Sequence, residues 1–211
     1  MLTREEMKRA LEVAKHRAIK WSRLGKSREC PEGIARVAHK DPVTYVWCGG
    51  TNTFREIIDN FRLKKEDFIN SEIQVNSADL IQAQKILSAM PDVAHGTPVV
   101  VAGFSRGVAV GMVLAALLVT EKNAKVQFVG WSGKRTGNAA FVKWFADNIP
   151  YIHLSGIADV VPLVPPWPMY KATKIVWKFV SFHPWKAHLE GLKSAAYWRN
   201  RPNQEIFNIT W

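Results

Sequence analysis

Apolar and polar residues follow one another along the chain with the periods of strands and helices. Short apolar runs rich in β-branched and aromatic residues predict buried strands at residues 43–47, 99–102, 126–131 and 151–154. Apolar residues three and four positions apart predict helices at residues 54–63, 78–90, 107–119 and 139–147. Strands that alternate with helices indicate an α/β fold whose mostly parallel sheet is covered by helices on both faces.

The pattern of residues 1–25 predicts a further helix, which is amphipathic and basic. Its apolar positions recur at spacings of four and three, and they are Met7, Leu11, Ala14, Ala18 and Trp21. Two of the five are alanines, so we expect this modest apolar face to pack on the body of the protein rather than on a membrane. We find no repeat, low-complexity tract or linker in the remainder, which predicts a single domain over residues 1–211.

The composition is typical of a folded globular protein. With 47% hydrophobic and 22% charged residues among 211, such a chain buries roughly 70% of the surface that it exposes when unfolded. The longest uncharged apolar stretch, residues 107–119, has 13 residues, whereas a membrane-spanning helix needs about 20. The first twenty residues lack the apolar block of a secretion signal. We expect a cytoplasmic protein with reduced Cys30 and Cys48, in which any membrane association is peripheral.

The excess of basic residues lies at the two ends of the chain. Lys and Arg number 29 and Asp and Glu number 18, which gives a net charge of +11. Residues 1–40 hold 11 basic and 5 acidic side chains, residues 41–170 hold 11 of each, and residues 171–211 hold 7 and 2. Clustered basic residues suit nucleic acid or an anionic membrane surface, while the simplest role of the charge is solubility.

The C-terminal segment 171–211 also places aromatic residues between lysines. Trp177 and Phe179 flank Lys178, for example. Amphipathic rings beside lysines suit a lipid headgroup interface or an acyl-binding wall. The same alternation equally describes an ordinary strand with one buried face.

The segment Gly103-Phe104-Ser105-Arg106-Gly107 fits the pattern G-x-S-x-G between an apolar strand and an apolar helix. In this setting a serine stands on a strained turn with its hydroxyl above the sheet. A Cβ at either glycine would collide with the neighbouring strand or helix. The context favours Ser105 as a nucleophile, with a purely structural turn as the alternative.

A serine nucleophile needs a histidine base and a carboxylate that orients it. In a strand-turn-helix setting the expected chain order is serine, acid, histidine. Among the acidic residues after Ser105, Glu121 and Asp147 fall inside or at the ends of predicted helices, whereas Asp159 follows a predicted strand. Because α/β folds place their chemistry in loops beyond the carboxyl ends of strands, Asp159 is the predicted acid.

Two histidines follow Asp159, namely His183 and His188. We favour His188 as the base, because it lies in a loop that leads to a terminal helix, while Pro184 restricts the backbone of His183. His183 remains the alternative. His153 lies within a predicted strand, so we expect it to be a core or edge histidine.

An oxyanion hole requires backbone N–H groups aimed at the oxygen that becomes negative during acyl transfer. The residue after the nucleophile, Arg106, supplies one donor. The glycine-rich loop after the first predicted strand supplies the second, which we assign to Thr51. A phosphate-binding loop is the rival interpretation of these glycines, but the chain contains no G-x-x-x-x-G-K-[ST] sequence.

Taken in order, four segments resemble the class 3 lipase family, the fungal-lipase-like branch of the α/β-hydrolases. They are VWCGGTNTFREIIDNF, similar to the F-R-G-T segment and its helix; VVVAGFSRGVAVGMVLAALL, similar to the G-H-S-x-G-G-A block; GKRTGNAAFVKWF, similar to G-x-P-R-x-G-N-x-x-F; and SGIADVVPLVPP, similar to D-x-V-P-x-x-P-P. The resemblance covers about residues 43–166. It implies Ser105 as nucleophile, Asp159 as acid and the amides of Thr51 and Arg106 as the oxyanion hole.

Three residues depart from the family pattern. Phe104 replaces the usual histidine before the serine, Gly49 stands where the family has arginine, and Val108 stands where a second glycine is common. None of these changes removes a member of the predicted triad. We expect them to affect how the oxyanion loop is braced.

These features together predict a serine esterase or lipase that cleaves lipid esters, acylglycerols or phospholipids, through an acyl-enzyme. Neither a metal nor an organic cofactor is implied. An anionic membrane surface is the expected partner, and nucleic acid is less favoured. The competing hypothesis is a catalytically inactive protein of the same fold that binds nucleic acid or an anionic membrane through its basic flanks. Acyl transfer to an acceptor other than water is a third hypothesis.

Overall fold

A central β-sheet organises the protein. The computed structural model describes residues 35–40, 43–49, 64–90, 96, 98–165, 169–174, 176–179 and 188. In this part of the chain the strands are β1 (Ala35–Lys40), β2 (Val43–Cys48), β3 (Lys65–Asp67), β4 (Gln74–Asn76), β5 (Pro98–Phe104), β6 (Lys125–Trp131), β7 (Tyr151–Gly156) and β8 (Val176–Phe179). The helices are α1 (Ser77–Ala89), α2 (Arg106–Lys122) and α3 (Ala139–Asn148).

The sheet has the strand order β1-β2-β5-β6-β7-β8. β1 pairs antiparallel with β2, and every following pair is parallel. The predicted α/β fold with a mostly parallel sheet is therefore confirmed. Because β2, β5, β6 and β7 run in the same direction, their carboxyl ends share one edge of the sheet, where loops can bring side chains together.

The four predicted strands appear as β2, β5, β6 and β7, and α1, α2 and α3 match three of the predicted helices. The predicted helices at residues 1–25 and 54–63 lie outside the described residues. The sequence pattern missed β1 and the small hairpin of β3 and β4. The hairpin strands, KED and QVN, are three residues long and largely polar, so they carry no detectable alternation. The aromatic stretch around Trp177 forms β8, which pairs with β7.

Helix α2 forms the centre of the hydrophobic core. It packs against β2, β5 and β6 and against α1, and every residue from Arg106 to Leu118 is buried. A helix enclosed on all sides needs apolar residues around its whole circumference, which explains the uninterrupted apolar run in its sequence. Within the described residues, no helix combines the length and the apolar character that crossing a membrane requires.

An ion pair is buried where the loop after β6 meets α1. Lys134 Nζ lies 2.6 Å from Asp79 Oδ2, and only 2% and 1% of the two side chains are exposed. The backbone N–H of Asn76 donates to the carbonyl of Thr136 in the same region, at 2.9 Å. These contacts hold the loop from β6 to α3 against the first turn of α1.

We expect Lys134→Met to destabilise the protein by about 3–5 kcal/mol, because it leaves the charge of Asp79 buried without its partner. The double variant Lys134→Met, Asp79→Leu should recover most of this loss, because no unpaired charge remains. Urea denaturation measures both effects. Lys143→Met is the matched control, since Lys143 pairs with Asp147 on the exposed surface of α3, and its expected loss is under about 1 kcal/mol. Equal losses in the two single variants would contradict the prediction.

Candidate active site

Ser105 occupies the turn between β5 and α2, at the edge where the parallel strands end. Its backbone has φ 56° and ψ −124°, a positive φ that side-chain-bearing residues adopt at a cost of about 1–3 kcal/mol. Two hydrogen bonds hold the turn: the Ser105 N–H donates to the Trp131 carbonyl at 3.0 Å, and the Val108 N–H donates to the Ser105 carbonyl at 3.1 Å. This backbone raises the side chain above the end of the strand.

The two glycines of the motif allow the backbone segments to approach closely. A Cβ on Gly103 would collide with the carbonyl of Gly107, and a Cβ on Gly107 would collide with the carbonyls of Cys48 and Gly49. The predicted steric role of both glycines is confirmed. The second contact also places the end of β2, with Gly49 directly after it, against the first turn of α2.

Three side chains from distant parts of the chain form a continuous hydrogen-bonded series. His188 Nε2 lies 3.0 Å from Ser105 Oγ. On the other edge of the ring, Nδ1 lies 3.1 Å from Asp159 Oδ2 and 3.2 Å from Oδ1. His188 and Asp159 are almost fully buried, and Ser105 is half-buried. The structure thus brings together the predicted serine, acid and favoured histidine. The alternative histidine, His183, lies outside the described residues.

Asp159 is held as a carboxylate by several donors. Besides His188, the Ser155 hydroxyl donates to Oδ2 at 3.2 Å and the Val161 N–H donates to Oδ1 at 2.9 Å. Burial acts to raise the pKa of Asp159, but the hydrogen bond and charge of His188, with the Val161 amide, lower this pKa below its usual value. A carboxylate at Nδ1 favours a proton on that nitrogen, which leaves Nε2 able to accept the serine proton.

Ser155 is a site residue that the sequence analysis missed. It lies in β7, four positions before Asp159, and its side chain is completely buried. A lone serine in a strand carries no recognisable sequence signal, because its role depends on a neighbour beyond the end of the strand. The other acidic candidates lie in helices as expected, Glu121 in α2 and Asp147 in α3.

The described residues include one of the two predicted donors of the oxyanion hole, Arg106. Arg106 is the first residue of α2 and directly follows Ser105. N–H groups in the first turn of a helix have no acceptor within the helix, and the helix dipole favours negative charge there. Thr51, the second predicted donor, lies outside the described residues. The described part of its loop ends at Gly49, which contacts Gly107.

His153 is a core histidine, as its strand neighbours predict. The Gly133 N–H donates to His153 Nε2 at 3.2 Å, so the ring proton is on Nδ1, which donates to Thr173 Oγ1 at 2.8 Å. Burial lowers the pKa of His153 to about 4, against an opposing effect of the Asp159 charge. His153 therefore joins the loop after β6 to the segment before β8 without carrying a charge.

This neutral histidine makes the stability depend on pH. Unfolding restores an ordinary pKa near 6.5, so the unfolded chain binds more protons between about pH 4 and 6.5. The contribution of His153 is complete above this range and is lost as the pH falls. From near pH 7 to near pH 5 we expect a loss of about 2 kcal/mol, measured by urea denaturation, and a shallower loss in His153→Gln. Equal pH slopes for the two proteins would contradict this role.

Comparisons with known proteins identify the family and the fold of this chain. The family model for class 3 lipases matches residues 45–169, whereas no curated protein sequence matches the chain. Among solved structures, a lipase from Rhizopus microsporus var. chinensis has a TM-score of 0.56 and 22% identity, covering 82% of this chain and 74% of that one.

Two further structures show the same fold. The triacylglyceride lipase of Rhizomucor miehei has a TM-score of 0.59 and 17% identity, covering 83% of this chain and 81% of that one. Lipase II from Rhizopus niveus has a TM-score of 0.52 and 20% identity, covering 77% and 75%. The fold is that of the α/β-hydrolases. Since the family model spans more than half of the 211 residues, this chain belongs to the class 3 lipase family.

Proposed function

We propose that this protein hydrolyses the carboxylic esters of lipids, acylglycerols or phospholipids, through an acyl-enzyme on Ser105. Membership of the lipase family supports lipid ester hydrolysis as the general activity. The observation that carries the finer proposal is the hydrogen-bonded series from Ser105 Oγ through His188 to Asp159. Serine, imidazole and carboxylate in this order are the groups that nucleophilic acyl transfer requires.

In the first half of the reaction, Ser105 Oγ attacks the ester carbonyl carbon while its proton passes to His188 Nε2. The carbonyl π electrons move to the oxygen, which becomes negative. Asp159 stabilises the imidazolium through Nδ1. When the tetrahedral intermediate collapses, the bond to the leaving alcohol breaks and His188 returns the proton to the alcohol oxygen. Water then repeats the sequence and releases the fatty acid from Ser105.

The negative oxygen needs donors that are already in place. We assign this role to the backbone N–H groups of Arg106 and Thr51. The assignment of Arg106 is supported by its position at the start of α2, directly after the nucleophile. The assignment of Thr51 is supported by its place in the sequence, three residues after β2, whose last residue, Cys48, lies against Gly107.

Replacing the nucleophile gives the direct test. Ser105→Ala should lower kcat for p-nitrophenyl and acylglycerol esters by at least about a thousandfold, because the attacking oxygen is absent. Ser88→Ala, which removes an exposed hydroxyl on α1, is the matched control and should retain full activity. Circular dichroism verifies that both variants are folded.

The same assay distinguishes hydrolysis from the two alternatives, a catalytically inactive protein and an acyltransferase. A folded wild-type protein without hydrolytic activity would support the catalytically inactive protein and contradict the proposal. Release of the acyl group to an added alcohol, with no free fatty acid, would indicate acyl transfer on the same triad.

We further propose that an anionic lipid surface is the partner of this site. Large apolar side chains are exposed in the segment of residues 157–169, and they are Ile157, Val160, Leu163 and Met169, with exposed fractions of 57%, 51%, 53% and 40%. This segment also carries Asp159, so its exposed side chains lie near the site. Lys171 and Lys174 follow it, and the C-terminal flank is basic. Apolar groups beside basic ones suit an anionic bilayer surface.

Vesicle binding tests this partner. The wild-type protein should bind vesicles of phosphatidylcholine with phosphatidylglycerol more tightly than vesicles of phosphatidylcholine alone, and salt should weaken the difference. Leu163→Ser with Ile157→Ser should weaken binding by about tenfold or more, since two partly exposed side chains no longer enter the bilayer. Ile81→Ser is the matched control, because Ile81 is 52% exposed on α1, and it should bind like the wild type. Equal binding to both vesicle types would exclude the anionic surface.

A further inference from the structure

We propose that Phe104 is a positioning residue for His188, and that its ring stabilises the protonated form of that histidine during acyl transfer. This inference rests on the function proposed above. Phe104 is the last residue of β5 and is 8% exposed. The centroids of the Phe104 and His188 rings lie 4.9 Å apart, and the ring planes are inclined by 34°. The two rings are therefore in contact in a tilted arrangement, with the centroid of the imidazole within reach of the phenyl π system.

The contact restrains a motion that the triad hydrogen bonds leave free. Both nitrogens of His188 are engaged at the ring edges, Nε2 with Ser105 and Nδ1 with Asp159. These two hydrogen bonds fix the positions of the two nitrogen atoms. They only weakly resist rotation of the imidazole plane about the axis that joins Ser105 to Asp159. An aromatic ring in contact with the imidazole limits this rotation. Phe104 is itself fixed, because it belongs to the paired part of β5 opposite Trp131.

The chemical consequence follows from the charge of the imidazole. The face of an aromatic ring is electron-rich and attracts a cation within about 6 Å of its centroid. Acyl transfer requires a neutral imidazole as the base, and His188 becomes an imidazolium as it takes the serine proton. The attraction is therefore stronger in the transition state than in the ground state, and such interactions raise kcat.

Phe104 is also one of the residues that depart from the pattern of the class 3 lipase family. Histidine usually precedes the serine, and Phe104 replaces it here. A second imidazole at this position would be a weaker partner for an imidazolium, because it can itself become charged. Phenylalanine offers the π face without a titrating group.

The test compares Phe104→Leu and Phe104→Tyr with the wild type in ester hydrolysis. Phe104→Leu removes the π face and should lower kcat roughly 3- to 30-fold with little change in KM. Without stabilisation of the imidazolium, the acidic limb of the kcat/KM profile should move to lower pH by about 0.4 to 1.5 units. Phe104→Tyr keeps the ring and should restore both properties.

Two further variants separate the electronic effect from packing. Pentafluorophenylalanine at position 104 retains the ring shape but removes the electron density of its face, so it should reproduce the effect of leucine even if Phe104→Leu folds poorly. Phe145→Leu is the matched control, because Phe145 is a fully buried ring that contacts Phe128 and not the triad. It should lower stability and leave the acidic limb unmoved. If the acidic limb of the kcat/KM profile lies at the wild-type pH in both Phe104→Leu and the fluorinated protein, the inference is wrong.

A readout without substrate distinguishes failure of this inference from failure of the proposed function. The phenyl ring current should displace the carbon-bound ring protons of His188 in the NMR spectrum, and Phe104→Leu should abolish the displacement. If the displacement is present but wild-type protein cleaves no ester, the proposed function fails and the ring contact stands. If the wild type cleaves esters and the displacement is absent, only the role of Phe104 fails.

Discussion

The close approach of backbone to backbone at the end of β5 is the constraint on which the site depends. Gly103 meets the backbone of α2, and Gly107 meets the end of β2, at separations that leave no room for a Cβ. This packing lets the chain reverse from strand to helix within one residue, and Ser105 adopts a positive φ there. The strain is tolerated because α2 is buried from its first residue and cannot move away from the sheet. The serine oxygen is consequently held at a fixed point above the sheet edge.

Polar groups around this point are stabilised by mutual contacts within a mostly apolar interior. Asp159 keeps its charge through His188, Ser155 and the Val161 amide. His153, a few residues before Asp159 in the chain, stays neutral because burial lowers its pKa to about 4, and one donor and one acceptor fix its tautomer. The two histidines therefore have different capacities. His188 can exchange a proton with a hydroxyl, whereas His153 is confined to a single tautomer.

Proposed lipid binding and proposed catalysis share one segment. Residues 157–169 begin just after β7, include Asp159 and expose several large apolar side chains. In this arrangement, a lipid surface that contacts the segment lies next to the loop that orients the histidine. The basic residues that follow the segment add an attraction for anionic headgroups, which acts over about 8–10 Å at physiological ionic strength.

Local periodicity and short motifs were enough to predict β2, β5, β6, β7 and the helices α1, α2 and α3, together with a mostly parallel sheet. They also singled out Ser105 and Asp159 as candidates, because a serine in a strand-turn-helix motif and an acid after a strand can be recognised within a few residues. The sequence favoured His188 over His183 as the base. It contained no information on the distance between Ser105 and His188, which lie 83 positions apart. Three contacts are visible only in the folded chain: Ser155 donates to Asp159, the Phe104 ring contacts His188, and Lys134 pairs with Asp79. Those contacts join separate elements, and their energies depend on burial and distance, which no local pattern of residues contains.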